Sequence, residues 1–328
     1  MEKPFLKIEH QIDLLKHRGL IIDDVEYCES KLKLYGYYEI INGYKQNFLK
    51  VPENDETGFK EGTTFKQIYN LFQTDQFIRA STMDLLECFE ANLRQSIAYV
   101  ISDNISVDDT IYTRPHNYKP GSAYRYNGDV YHPRDYLLTK MHQSINSRTQ
   151  PFAHYRNKFG NVPPWIMIKG LTFGSLVKLC SLLRKNEKDQ VIDSMMCSEA
   201  VKLLSLNEKK QLFGDTLNLM LKYRNVCAHG GRVFNHRSQE SPIRYSRTFH
   251  GKNDLNITRR QYNKGTGRSS IGVLLCSLEL YKNQEYFKLI FKKIASNLQQ
   301  YITLHESQEK YIYATTEIRI TWIQKYEQ

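Results

Sequence analysis

The chain has 328 residues, 41% of them apolar, a mean hydropathy of −0.56 and a formal net charge of +11. That length holds one large core or two ordinary ones. No run reaches the roughly eighteen apolar residues that cross a bilayer, and residues 1–10 carry no stretch apolar enough for a secretory signal, so the expectation is no membrane.

Almost every periodic stretch in the chain is helical. Apolar Ile8, Ile12 and Leu15 mark a first helix over Lys7 to Arg18, with Gly19 as its stop. Asp23 or Asp24 can cap a second helix that runs to Tyr35 and ends at Gly36. The pair predicts a small helical hairpin. Tyr37 to Phe48 is aromatic and ambiguous, and Val51 to Gly62 reads as a loop. Thr64 and Gln67 make a capping-box pattern. One helix, or two in tandem, runs from there to about Ile101, with apolar residues at three and four. The pattern breaks from Asp103 to Asn127 and returns near Arg134 to Asn146. Pro163 and Pro164 introduce Trp165 to Ile168, and Leu176 to Leu183 predicts another helix. Ser205 with Glu208 is a second capping box. It opens a helix bearing Leu212, Thr216, Leu219 and Tyr223, which Gly230 and Gly231 should end. A long loop, with room for a short hairpin, is expected from Arg232 to Arg268. Ile271 to Leu280, Tyr286 to Tyr301 and Ile312 to Trp322 close the chain as mostly helix.

The charge is unevenly placed. Thr110 to Gly160 holds eight Lys/Arg against two acidic residues, and Arg232 to Arg268 holds nine against two. The rest of the chain is slightly acidic. The first segment also carries Tyr112, Tyr118, Tyr124, Tyr126, Tyr131, Tyr136 and Tyr155. Cations neutralise a phosphate backbone, and aromatic rings stack on unpaired bases. This interleaving suits single-stranded or looped RNA better than a rigid duplex. The other reading is two solvated loops. The RNA contacts expected here are Tyr124, Arg125, Tyr126, Arg134 and Arg156, then Arg232, Arg237, Arg244, Arg247, Arg259 and Arg260.

Between the two segments lies Tyr223-Arg224-Asn225-Val226-Cys227-Ala228-His229. Arg grips a phosphate with a planar fork, and His exchanges protons near neutral pH. Asn225 and His229 share a helix face, so the amide could orient the ring. Arg224 lies about 140° around the helix from His229. Their convergence needs a distorted helix or a second subunit. The alternative is a polar pair at the negative end of a helix dipole. The six cysteines, Cys28, Cys88, Cys180, Cys197, Cys227 and Cys276, form no C-x-x-C pair and are expected to be reduced thiols of a cytoplasmic protein. Zinc bound by Cys227, His229 and His236 would fit no usual ligand spacing, so no metal or other cofactor is expected.

Several stretches together resemble the AbiD/AbiF-like abortive infection proteins of the HEPN superfamily. They are Gln11 to Leu20 with Leu34-Tyr35-Gly36-Tyr37-Tyr38 and Gly43-Tyr44; Asp75 with Phe89-Glu90-Ala91-Asn92-Leu93-Arg94; Phe152 to Arg156 with Pro163-Pro164-Trp165-Ile166 and Thr172-Phe173-Gly174; and Arg224 to His229 with Arg232 and Phe234-Asn235. The resemblance implies an all-α HEPN-type bundle, usually dimeric, with an R-x4-6-H motif that in many members cuts RNA without a metal. Arg224, Asn225 and His229 are then the catalytic residues. Some relatives only bind RNA, and some are thought to work with a small noncoding RNA; in a third class a partner protein does the chemistry. The expected division is an N-terminal helical subdomain over 1–62 and a HEPN-like domain over 63–328, with basic insertions near 104–133 and 232–270. As a bare pattern R-x4-6-H is weak: Arg125 with His132, Arg148 with His154, and Arg244 with His250 also satisfy it. None of these has Asn after the Arg or comes after a clear amphipathic helix. Glu90 and Arg94 are expected to be a plain i,i+4 pair, and His154 and Arg156 either touch RNA or pack.

Overall fold

The structure, a computed structural model, describes residues 5–127, 129–251, 255–319 and 322. The fold is all-α, with one two-stranded hairpin among the described residues. In chain order the helices are α1 (Ile8–His17), α2 (Val25–Tyr35), α3 (Phe65–Asn104), α4 (Asp109–Tyr112), α5 (Pro133–Ile145), α6 (Phe152–Phe159), α7 (Pro164–Met167), α8 (Phe173–Leu182), α9 (Lys185–Met195), α10 (Ser198–Val201), α11 (Leu206–Ala228), α12 (Arg247–Gly251), α13 (Arg259–Asn263), α14 (Ile271–Leu278), α15 (Gln284–Leu304) and α16 (Glu309–Thr316). The antiparallel hairpin is β1 (Tyr124–Tyr126) with β2 (Asp129–Tyr131).

The sequence signals that end elements are accurate where they are local. Asp24 caps α2 by accepting from the Tyr27 amide at 2.8 Å. Gly36, with φ +86°, comes directly after its last turn. Both predicted capping boxes form. Thr64 accepts from the Gln67 amide at 3.2 Å and Gln67 accepts in return from the Thr64 amide at 3.0 Å. Ser205 and Glu208 do the same at the start of α11.

The tandem alternative for the stretch after Thr64 gives way to one unbroken helix of 40 residues. It stays whole because it is the axis of the molecule. α15, α9, α11 and α7 pack around it, burying Ile68, Leu71, Leu86, Leu93, Ile97 and Ile101 on more than one side. Surrounded helices need apolar residues all round rather than one stripe. The same holds for α14, every residue of which is buried. Gly272 is required there, because a Cβ would stand 2.5 Å from the Glu317 carbonyl oxygen. A single buried cluster runs from Ile12 to Trp322 and includes residues from both sides of position 62.

Two expectations change. Tyr112 and Tyr118 of the first basic segment do not face solvent; they are 0% and 2% exposed. Their hydroxyls donate to the Val162 carbonyl at 2.6 Å and the Tyr112 carbonyl at 2.8 Å. They pin the segment to the bundle and are unavailable for base stacking. The second basic segment is not a free loop. It runs back along α11, held at three positions seven residues apart. Lys222 pairs with Glu240, Asp215 with Arg244, and Glu208 accepts from Ser246. Seven residues are nearly two helical turns, so these three share one face. Ile243, Phe249 and Ile257 of the segment are buried, and the one hairpin among the described residues lies in the first segment. Helices α6 and α9, which apolar spacing alone does not mark, complete the shell.

The two capping boxes generate a direct test. Thr64→Ala and Ser205→Ala should each cost about 1 kcal/mol of stability. Urea unfolding should show a lower midpoint with an unchanged slope.

Candidate functional site

Helix α11 carries the motif to its end. It is regular through Ala228, and the His229 amide still donates to the Asn225 carbonyl at 3.1 Å. The distortion that would turn Arg224 toward His229 within one copy is therefore absent. The chain then closes in a Schellman turn. Gly230 donates to the Cys227 carbonyl at 3.3 Å and Gly231 to the Val226 carbonyl at 2.8 Å. Gly230 takes φ +73°, a conformation that disfavours any Cβ. At Gly231 a Cβ would stand 2.9 Å from the Val226 side chain. The two glycines thus fix the direction in which the chain leaves His229.

The chain beyond this turn is pinned by α3. The Arg79 guanidinium donates to the Gly230 carbonyl at 2.8 Å. One turn earlier Asp75, 0% exposed, accepts from the Phe234 amide at 2.7 Å, the Val233 amide at 3.1 Å and the Tyr44 hydroxyl at 2.6 Å. Burial raises the Asp75 pKa above the usual carboxylate value, against the pull of the Tyr44, Phe234 and Val233 donors and of the Arg79 charge. Tyr44 stacks on Phe234 with ring centroids 5.5 Å apart, and Arg232 donates to the Gly43 carbonyl. So Gly43-Tyr44, Asp75 and Arg232 to Phe234, separate in sequence, meet directly behind the motif.

Asn225 and His229 are exposed and Arg224 is half-buried. Arg224 has no ion-pair partner among the described residues, and its Nε is buried without a hydrogen-bond acceptor. Buried donors are almost always satisfied. An uncommitted guanidinium next in sequence to an exposed amide can receive an anion. Cys227 is buried and its thiol is pushed up to about 12 by burial, which leaves it an inert packing group. Among the described residues no three His, Cys, Asp or Glu side chains stand close enough to share a metal ion.

The other R-x4-6-H matches differ in kind. His250 is fully buried, its Nε2 2.9 Å from the Gly267 carbonyl, and burial lowers its pKa. Arg244 forks onto Asp215, with Nε–Oδ2 at 2.9 Å and Nη2–Oδ1 at 2.8 Å. His154 is exposed but rests on Tyr155 and Phe159. Glu90 and Arg94 form the expected ion pair, and Arg94 also donates to the Leu171 carbonyl.

The arginines expected to touch RNA divide into two sets. Arg156 holds the Ile145 and Ser147 carbonyls, Arg237 the Thr315 carbonyl, and Arg232 the Gly43 carbonyl. With Arg244 they hold the chain in place. Arg134 pairs with the exposed carboxylate of its neighbour Asp135. Arg125, Arg247, Arg259 and Arg260 are exposed and have no ion-pair partner among the described residues. Arg259 lies 4.9 Å from the Tyr245 ring centre. Tyr124 is exposed on the hairpin, and the Tyr126 side chain lies outside the described residues.

The profile of the Abi-like protein family matches residues 30–235. This chain belongs to the Abi-like protein family. Membership supports a role in abortive infection, a defence against phage. The matched interval holds Tyr44, Asp75, Arg79 and the whole motif, and it ends one residue after Phe234. No curated protein and no solved structure matches the chain. Among the described residues, no helix of this Abi-like protein is long and apolar enough to cross a membrane.

Sequence reasoning assigns no role to Asp75 or Tyr44 and misses Arg79. The available signal is a carboxylate on the apolar face of α3, between Leu71 and Ile78. Ionisable residues are rarely buried unless they have partners.

Asp75→Ala leaves three buried donors without an acceptor. It should cost about 2–4 kcal/mol at neutral pH. Because burial raises the Asp75 pKa in the folded state, the proton-linked part of its contribution is complete below about pH 3.9, the unfolded value. That contribution is lost as pH rises through the folded value. Denaturant unfolding across pH should therefore show the gap between wild type and Asp75→Ala widest in acid and narrower near neutrality.

Proposed function

We propose that this protein is an AbiD/AbiF-like abortive infection effector of the HEPN superfamily, which acts in the cytoplasm as a metal-independent endoribonuclease. The observation that carries the reading is the uncommitted Arg224 guanidinium, its Nε buried and unbonded, on a rigidly terminated helix that exposes Asn225 and His229.

RNA supplies its own nucleophile. The 2′-oxygen attacks the adjacent phosphorus, and the bond from phosphorus to the 5′-oxygen breaks. A base takes the 2′ proton, an acid protonates the departing 5′-oxygen, and a cation stabilises the crowded phosphorane. The products are a 2′,3′-cyclic phosphate and a 5′-hydroxyl. One imidazole cannot serve as base and acid in a single step. A homodimer with two-fold symmetry supplies two copies of His229 and of Arg224 at one interface. The helical period, which separates Arg224 from His229 within a copy, favours this arrangement. Arg224 binds the phosphate, Asn225 orients His229, and the two His229 rings act as base and acid. The exposed Arg125, Arg247, Arg259 and Arg260 add sequence-independent attraction for the RNA backbone.

The second reading is a ribonucleoprotein that holds a small noncoding RNA without cutting it. The same exposed arginines favour it, since binding needs no proton transfer.

End-labelled RNA incubated with the protein in EDTA should be cut to cyclic-phosphate ends. His229→Ala should slow cleavage by about 10²–10⁴-fold, and Arg224→Ala by about 10²–10³-fold. A requirement for Mg²⁺ would sink the mechanism. A heterodimer of wild type with His229→Ala keeps one of the two rings, so it should fall towards the activity of the His229→Ala homodimer if the site is shared, and keep about half of wild-type activity if each copy acts alone. Retention of one defined RNA without cleavage by wild type or variant would favour the ribonucleoprotein.

A further inference from the structure

A cleft of about 750 Å³ opens between the β1–β2 hairpin, α5 and the start of α8, in the range of roughly 300–1,000 Å³ that holds small ligands. Tyr124 from the hairpin and Tyr136 from α5 stand in its wall, 49% and 58% exposed. Thr172, the N-cap of α8, joins Ser175 and Lys178 of that helix. Among the described residues Lys178 is the one charged side chain in the wall, and no carboxylate lines it. Lys140 adds a second cation, 5.3 Å from the Tyr136 ring centre.

The cleft is held open by its base. Gly121, with φ +76°, enters the hairpin so tightly that a Cβ would stand 3.1 Å from both Leu182 and Pro133. Lys119 donates to the Leu182 carbonyl at 2.8 Å. Tyr124 is held by its cross-strand partner Tyr131, the rings stacked with centroids 5.9 Å apart.

The cleft lies next to α11, the helix that carries the motif. A Cβ on Gly174 would lie 3.8 Å from Leu221 of α11. Leu221 precedes Asn225 by one turn and His229 by two, on the order of 12 Å along the helix.

We infer that this cleft takes an unpaired ribonucleotide of the strand cut at Arg224 and His229. The base stacks on Tyr124 or Tyr136, and Lys178 meets the backbone phosphate. Exposed tyrosine rings offer flat faces, and every base offers a π-face to stack on them. A duplex keeps its bases stacked inside and cannot enter. Hydroxyls from Thr172 and Ser175 offer donors and acceptors for a ribose or base edge. This inference rests on the RNA-cleaving reading and adds to it a preference for unpaired substrate.

The test uses the full chain carrying His229→Ala, so that RNA survives. A single-stranded oligonucleotide bearing 2-aminopurine, and the same sequence in duplex, serve as probes. Tyr124→Ala with Tyr136→Ala should weaken single-strand binding by about 10-fold or more and abolish quenching of the 2-aminopurine. Duplex binding should stay within about two-fold. Tyr124→Phe with Tyr136→Phe should restore both, which a fold defect would not. Unchanged affinity and quenching in the alanine variant would overturn the cleft while leaving RNA cleavage intact. Equal weakening for both probes would overturn base stacking. No binding of either probe by the parent protein would overturn both the cleft and the RNA reading.

Discussion

A single buried carboxylate organises the region around the motif. Asp75 sits on the axial helix with its side chain sealed from water. It gathers the hydroxyl of Tyr44 from the N-terminal segment and two successive amides from the chain after α11. A charge so placed is tolerable only with its acceptor sites filled. The requirement acts in both directions, since the three donors also need an acceptor. Three segments distant in sequence are thereby locked to one point. The Arg79 bond to Gly230 lies one turn further along the same helix and fixes the other side of the turn.

This arrangement ties down the C-terminus of α11. Helix ends normally fray, and a proton-transfer group on a frayed end would wander. Here the Schellman turn, the Arg79 bond and the Asp75 clamp act within five residues of His229. The exposed side chains Asn225 and His229 stand on a firm backbone, as a site for chemistry requires. Arg224 is left without a bond for its buried Nε, while Arg156, Arg232, Arg237 and Arg244 are committed to carbonyls or a carboxylate. The contrast separates arginines that build the molecule from one that is available to a ligand. It also separates the motif from its look-alikes, because His250 is spent as a buried bridge to Gly267.

The basic segments show a similar division of labour. Part of each segment is structural: Tyr112 and Tyr118 in the first, and Ile243, Phe249 and Arg244 in the second. What remains outside is a hairpin with exposed Tyr124 and Arg125, and a stretch bearing Arg247, Arg259 and Arg260. The positive excess therefore survives on the surface while the segments themselves are anchored. The C-terminal helices lie beyond the family match, yet α15 packs along α3, and Glu317 accepts from Gly267 and Ser270. They complete the core that the matched part leaves open.

The sequence alone determined what local rules control. The caps at Asp24, Thr64 and Ser205, the stop at Gly36 and the glycine turn after His229 each depend on a few neighbouring atoms. The all-α class came from apolar spacing at three and four residues. The Arg224, Asn225 and His229 grouping was visible because it is contiguous. Tertiary structure decided the rest. Nothing local to Asp75 reveals that its donors lie 31 and 158 residues away. Nothing local to Tyr112 distinguishes it from Tyr124, since burial depends on what the fold brings over each ring. The polar stripe Glu208, Asp215 and Lys222 has meaning only once a distant stretch of chain lies along it. Short-range geometry is written in neighbouring residues, whereas burial and long-range pairing exist only after the chain has closed on itself.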